Sequence, residues 1–444
     1  MVGDNLLHIE MRNFGPVSHA DIKVKPLTIL IGPNSSGKSY TAQLIYSMLG
    51  AAYGVKDLIQ TNRRDYKQIE LGILSKEDKQ KLAKGNILEL RDESKGKIIS
   101  LFIKNFELDL NQELKSIFGI NKFDELIQSR QNKCYVNSEY KRFGEFKYDF
   151  DGTRLSRISA KVLDNLDIFI TPSDTNKTNI KWQNNRCEIN INYKNNPSLA
   201  EYEVVNSLLL ESIKFGDIFY LPASRSGIVY AFDAFTDIAI KDAGTSFPAL
   251  VKIFLSLLLT RTKFTENAKL RREIEILEQK MLKGSVNLIK KSHSVSIIYK
   301  SDGYELPMDR VSSSISELAS LFLFCKHLLK PGDVLIMEEP EAHLHPKNQS
   351  LMAELILVLL KNNINVVITT HSEYLVSKLN NIIYDSRIDS RYVNAYLFEL
   401  EKNRKGYQTK CISEEGIISE DNFVKVSEAL YAEELKLRQK RQST

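Results

Sequence analysis

Gly32-Pro-Asn-Ser-Ser-Gly-Lys-Ser39 follows directly on the apolar run Leu27–Ile31 and leads straight into a helical-looking stretch at 40–49. The pattern G-x-x-x-x-G-K-[ST] between a strand and a helix is a phosphate-binding loop, so the sequence predicts a nucleoside triphosphate as ligand. Glycine at both ends lets the chain wrap with its N–H groups turned inward. Gly32, Pro33, Asn34, Ser35, Ser36 and Gly37 then form the cradle with the first helical residues, Tyr40 among them. Lys38 adds a point charge for the β- and γ-phosphates, and Ser39 adds a hydroxyl for Mg²⁺, a hard cation that prefers oxygen.

The second half of the chain supplies carboxylates. Asp333-Val-Leu-Ile-Met-Glu-Glu-Pro340 is an apolar strand ending in two adjacent acids, a Walker B segment. Ligands of open parallel α/β sheets lie beyond the carboxyl ends of the strands, so Glu338 and Glu339 are expected beside the phosphates. Glu338 suits the Mg²⁺ shell, and Glu339 is placed to orient and deprotonate a water that attacks the γ-phosphate. Ser312, Ser313 and Ser314 open a helical stretch at 317–329, Ser312 standing 26 residues before Glu338. A second apolar strand, Val366-Val-Ile-Thr-Thr-His371, ends 32 residues after Glu339. His371 at that strand end can sense the γ-phosphate and hold the attacking water.

The order and spacing of these segments resemble the signature, Walker B and switch-histidine elements of ABC-type ATPases. Leu7-His-Ile-Glu-Met-Arg-Asn-Phe14 and Glu338-Glu-Pro-Glu-Ala-His-Leu-His-Pro346 are similar to the RecF/OLD-like, SMC-related branch. The likeness covers roughly the first fifty residues and the stretch from about 305 to 375. It implies an α/β fold: a P-loop NTPase head of ABC type, a mixed sheet flanked by helices, with a large helical and β insertion between Walker A and signature. It implies hydrolysis of ATP to ADP and phosphate with Mg²⁺ by a homodimer or higher homo-oligomer, each phosphate loop completed by the signature of the other subunit. The contacting residue is open among Ser312, Ser313 and Ser314, because the family is glycine-rich there. Serine keeps the hydrogen-bond donors but restricts the backbone. His343 and His345 fall where the family has its D-loop, and no Cys or third His stands nearby to complete a zinc site. Pro346 is expected to start the next helix. Phe219-Tyr-Leu-Pro-Ala-Ser-Arg-Ser-Gly227 resembles a Pro-x-x-Arg element of OLD-like heads, which would bring Arg225 toward nucleotide or the dimer seam; Arg12 is a further candidate nucleotide contact.

With 444 residues and 43% apolar content the chain builds a large core. Four divisions are expected: 1–55, the N-terminal part of the ATPase head with Walker A; 56–215, an insertion and β subdomain with helices; 216–300, a helical insertion; and 301–444, the C-terminal part of the head. Residues 56–118 read as helices with strand-like pieces such as 98–102, and 146–193 as antiparallel strands. Turns are expected at 172–179 and 195–197. Leu270, Ile274, Leu277 and Met281 form one helix face of about four turns, too short for a long coiled coil. No C-x-x-C joins the four cysteines Cys134, Cys187, Cys325 and Cys411, which fits reduced thiols. No apolar stretch approaches the roughly twenty residues of a membrane span; the longest, at 247–259, is interrupted by Lys252. No secretory leader is evident, so the expected location is cytoplasmic, without a membrane partner.

A net charge of +5 from 61 basic and 56 acidic side chains does not advertise nucleic-acid binding. Basic clusters at 261–263, 269–272, 283–291 and 436–441 keep duplex DNA open as a ligand. After His371 the chain has 73 residues, which read as one strand pair and a closing helix, with no D-x-D, so no nuclease activity is expected. The layout resembles ATPase subunits of prokaryotic anti-phage defence systems, which implies a separate effector protein, a nuclease or toxin, gated by nucleotide. The alternative is an ATP-dependent DNA clamp of the DNA-repair type.

Overall fold

The computed structural model describes residues 5–61, 72–128, 133–140, 144–151, 154–162, 167–173, 179–183, 186–191, 201, 204–205, 208, 215–223, 225–227, 229, 267–290, 295–401, 406–414 and 416–442. The run that feeds the phosphate loop, Leu27–Ile31, is buried along its whole length and lies inside an eleven-stranded mixed sheet. Across that sheet the order is Ile218–Leu221, Val334–Glu338, Asn365–Thr370, Leu27–Ile31, Val393–Leu400, Tyr407–Cys411, Val17–Val24, Leu7–Phe14, Cys134–Tyr140, Gly144–Asp151 and Arg154–Val162. The first five are mutually parallel. Tyr407–Cys411 reverses against Val393–Leu400 but runs parallel to Val17–Val24. Beyond it the strands pair antiparallel with their neighbours.

Parallel strands need helical crossovers and are covered on both faces, which is why Leu27–Ile31 and Val334–Glu338 are nearly unbroken apolar runs. Alternate side chains serve two cores. Val334 and Ile336 join one cluster, with the helices Lys38–Thr61 and Asp92–Phe118; Leu335 and Met337 join the other, with Ala268–Leu282, Ser313–His327, Pro346–Lys361 and Glu373–Tyr384. The result is a P-loop NTPase α/β fold, a mixed sheet flanked by helices as the motifs led us to expect.

Two expectations are corrected. Residues 98–102 are helical: Ile98, Phe102, Phe106, Leu110 and Leu114 recur every fourth residue and are buried as one face of Asp92–Phe118. The strands of 146–193 are not all antiparallel. Arg186–Ile191 runs parallel to Asp167–Pro172 in a separate four-stranded sheet with Leu88–Glu89 and Asn179–Gln183. The face Leu270, Ile274, Leu277 and Met281 is buried, and the helix carrying it is tied to Ser313–His327 by an ion pair in the core. Lys326 Nζ lies 2.8 Å from Glu278 Oε1 and also donates to the carbonyl of Val286. The closing helix runs Asp421–Gln442. Residues 195–197, 247–259 and 261–263, and most of 172–179, lie outside the described residues. Among the described residues no helix is long and apolar enough to cross a membrane.

Phe106 is the centre of the core between helix and antiparallel strands. Its ring stacks on Phe146 at 4.1 Å and meets Tyr140 edge-on at 5.9 Å. Phe106→Ala is expected to lower the unfolding free energy by about 3–5 kcal/mol, through lost burial and a cavity that rigid neighbours cannot close. Leu108 on the same helix is 59% exposed, so Leu108→Ala should change little. Urea unfolding of both variants checks the contrast.

Candidate active site

The sheet register brings three loops to one edge. Ile31 pairs with Thr370, and Thr369 pairs with Glu338, so the phosphate loop, the Glu339 turn and His371 all leave the carboxyl ends of adjacent parallel strands at one level. The phosphate loop itself needs glycine where it bends. Gly37 has φ +99°, and a Cβ there would stand 2.5 Å from Val17 Cγ2 on the strand Val17–Val24. Lys38 begins the helix, and its Nζ donates to the carbonyls of Gly32 at 3.0 Å and Pro33 at 2.8 Å, curling the loop around the ammonium. Burial lowers the Lys38 pKa to about 8, against the opposing fields of Glu339, Glu341 and Glu338.

Pro33, Asn34, Ser35, Ser39 and Tyr40 are exposed around this bend, whereas Ser36 and Gly37 are buried beneath it. The Tyr40 ring packs on Phe118 at 5.4 Å and Phe14 at 6.3 Å. The turn at Gly15, φ +53°, presses against that ring, and a Cβ at Gly15 would lie 2.5 Å from Tyr40 Cδ1.

Glu339 adopts φ +41°, a region that residues with a Cβ seldom occupy and that tends to mark functional sites. Hydrogen bonds hold it there. Its N–H donates to the Thr369 carbonyl at 3.0 Å, and its own carbonyl accepts from Ala342 N at 2.9 Å. The side chain reaches His371, with Nε2 3.3 Å from Oε1, and the imidazole keeps the Glu339 carboxyl below the usual carboxylate range. Glu339, His343, His371, Ser372, Glu373 and Tyr374 line a cavity of about 540 Å³, which gives water a route to the carboxylate.

Glu341 was not singled out from the sequence. Its Oε1 accepts from Thr370 Oγ1 at 2.6 Å and from the His371 N–H at 2.7 Å, so it braces the histidine loop from below. Burial raises its pKa. Glu338 is buried; Oε2 accepts from Ala223 N at 3.3 Å, while Oε1 has no hydrogen-bond partner among the described residues. That orphaned oxygen and the exposed Ser39 hydroxyl are both hard donors, and they fit a Mg²⁺ that retains several waters.

Residues 5–376 match the model of the AAA ATPase domain family AAA_15. The chain belongs to that AAA ATPase family. Three solved structures are similar to it at low identity. One is the SMC head bound to the C-winged helix domain of ScpA, with TM-score 0.44 and 13% identity, covering 91% of this chain and 97% of that one. Another is the Smc head domain with an extended coiled coil bound to the C-terminal domain of ScpA, from Pyrococcus furiosus, with TM-score 0.41, 13% identity, and 96% and 98% covered. The SMC head domain from Thermotoga maritima gives 0.36, 11%, 92% and 98%. A search of curated proteins gave no match.

In this AAA ATPase Ser312, Ser313 and Ser314 open a helix. Ser312 is the N-cap of the helix Ser313–His327, with its Oγ 3.1 Å from Ser314 Oγ, and the Ser313 carbonyl accepts from Ser316 Oγ at 2.9 Å. Ser312 and Ser313 are exposed. Among the described residues none of the three hydrogen-bonds to the phosphate loop, Glu338, Glu339 or His371, and Ser312 makes no side-chain cap hydrogen bond. Arg12 and Arg225 lie in different surroundings. Arg12 pairs with Glu10 at 3.0 Å on the exposed sheet face, and Arg225 is buried beneath the Walker B turn. His345 caps the helix Pro346–Lys361, its Nδ1 accepting from Lys347 N at 3.3 Å, with Pro346 in the first turn.

Proposed function

We propose that this AAA ATPase binds ATP with Mg²⁺ and hydrolyses it to ADP and phosphate at the edge defined by Lys38, Glu338, Glu339 and His371, two copies closing head to head around the nucleotides. The observation that carries the reading is the shared level of Ile31, Thr370 and Glu338, with Glu339 and His371 in contact above it. In this reading the loop amides from Gly32 to Ser39 and the Lys38 ammonium hold the phosphates, and Tyr40 lies at the edge of the cradle. Ser39 and Glu338 would hold Mg²⁺, which would supply positive charge to offset that of the phosphates. Glu339, ionised at neutral pH, accepts the proton of a water that His371 helps to orient. Ser312, Ser313 and Ser314 of a second copy complete the site, presenting hydroxyls and helix N–H groups to the γ-phosphate.

Nucleotide-driven closure then gates a separate effector, a nuclease or toxin. This half of the reading is carried by the motif layout, which resembles ATPase subunits of anti-phage defence systems. Turnover by the purified protein, with and without duplex DNA and with Glu339→Gln as the blank, tests both halves. Turnover above the blank and indifferent to DNA is expected. Strong stimulation by DNA would instead point to a clamp that encloses duplex.

Ser313→Arg tests the closure. The site is exposed at a helix start, so the arginine is tolerated by the fold while its bulk and charge obstruct a facing subunit. ATP binding by the single chain should stay within about twofold of wild type, because nothing in the phosphate loop changes. ATP-dependent association, read by light scattering in the Glu339→Gln background, should disappear. Unchanged association would count against the signature assignment.

A further inference from the structure

Arg225 is 2% exposed, and a guanidinium that deep is retained only where its donors are taken up. Nη1 donates to the carbonyl of Glu338 at 2.6 Å and to that of Pro222 at 3.2 Å, while Nη2 donates to the carbonyl of Glu339 at 3.0 Å. On its other side Nε faces Glu317 Oε2 at 3.5 Å, an ion pair without a hydrogen bond, and the next residue, Ser226, donates its N–H to Glu317 Oε1 at 3.3 Å. Glu317 is itself 1% exposed and sits one turn into the helix Ser313–His327, four residues after Ser313 and therefore on the same face. One guanidinium thus grips the main chain of both Walker B carboxylates and the helix whose first residues are the signature serines.

The grip falls on the strained residue of the site. Glu339 stays at φ +41° only while its carbonyl and N–H are held, and Arg225 supplies one of the two donors to that carbonyl. Glu317 and Arg225 form a continuous chain of contacts from the helix Ser313–His327 to the peptide that sets the Glu339 carboxyl against His371.

We propose that Arg225 is a positioning residue for ATP hydrolysis, coupling the N-terminal turn of the helix Ser313–His327 to Glu339 through Glu317; this rests on the hydrolytic reading of the site. Arg225 does not touch the nucleotide. It acts through the main chain of Glu338 and Glu339.

The test uses two conservative changes. Arg225→Lys keeps the charge and loses the planar fork that reaches two carbonyls. Glu317→Gln keeps an acceptor for Ser226 N–H and loses the charge. ATP turnover, ATP affinity and the number of ATP molecules bound per chain are measured for each, for the pair combined, and for wild type and Lys38→Ala. Either change is expected to lower kcat about tenfold or more with ATP affinity within about twofold, a loss confined to the chemical step. The double variant should be no slower than the slower single one, since both break one link. A role in folding alone would instead reduce the number of sites while leaving kcat per occupied site intact. Unaltered kcat, losses that multiply, or losses that follow affinity would overturn the proposal. If Arg225→Lys does not fold, Glu317→Gln carries the same comparison. Wild-type turnover no higher than that of Lys38→Ala would overturn the hydrolytic reading itself and this proposal with it, a result distinct from an active wild type beside an equally active Arg225→Lys.

Discussion

Glu339→Gln is expected to bind ATP as well as wild type while turning it over about 10²–10⁴-fold more slowly, the usual contribution of a positioned general base. Glutamine matches glutamate in shape, so the hydrogen bonds from Glu339 N–H and to its carbonyl, which set φ +41°, are retained. What is lost is the capacity to take a proton. The carboxyl is suited to that task by geometry: it touches His371 at 3.3 Å and borders a cavity that admits water. The neighbouring imidazole also keeps it ionised at neutral pH. The rival acid Glu341 lacks that freedom. One of its oxygens is committed to Thr370 and the His371 N–H, and the side chain is only 7% exposed. Phosphate release at saturating ATP measures the rate, and a titration with ATP measures the affinity. The same variant should accumulate as a closed, ATP-bound dimer. Turnover equal to wild type would falsify the assignment of Glu339 as the base and return attention to Glu341.

The parts of this site that were legible in the sequence are those whose chemistry is local. The phosphate loop, the Walker B strand and the strand ending in His371 each declare themselves within eight residues, because a glycine-bounded turn or a buried parallel strand constrains neighbours in sequence. Arg225 and Glu341 were not legible in this way. Arg225 grips a carbonyl 113 residues away, and Glu341 braces a loop 29 residues on, so no window of sequence contains either interaction. Residues 98–102 were misread for a different reason. A five-residue stretch with four apolar residues around Ser100 fits both periods, and only the recurrence of Phe106, Leu110 and Leu114 beyond it fixes the helix. Alternation along 146–193 announced strands, but which sheet each joins depends on partners elsewhere, and a strand's own pattern does not encode its neighbour. The three serines were readable as a helix start. What they touch is expected to lie on another copy, so neither the sequence nor the fold of one chain contains the contact.

Lys38→Ala is expected to weaken ATP binding by roughly 10–100-fold, the loss of charge-assisted hydrogen bonds to phosphate. The pH dependence of the wild type separates this cause from simple loosening of the loop. Burial holds the Lys38 pKa at about 8, below the ordinary lysine value of 10.5. Bound phosphate favours the ammonium and raises that value again, so binding above pH 8 takes up a proton. ATP affinity should therefore be flat below about pH 8 and fall by up to about tenfold per pH unit above it, as the free protein loses the charge it needs. The stability of the free protein moves the other way. Between about 8 and 10.5 the unfolded chain keeps a proton on Lys38 that the folded chain has released, so unfolding becomes less favourable as pH rises through that window. Calorimetric titration between pH 7 and 9.5 reads the affinity and the proton uptake together. In Lys38→Ala both the slope and the uptake should vanish, leaving a weak affinity nearly independent of pH. A wild-type affinity equally independent of pH, with no proton taken up, would mean that the ammonium does not meet the phosphates and that the loop amides alone hold them.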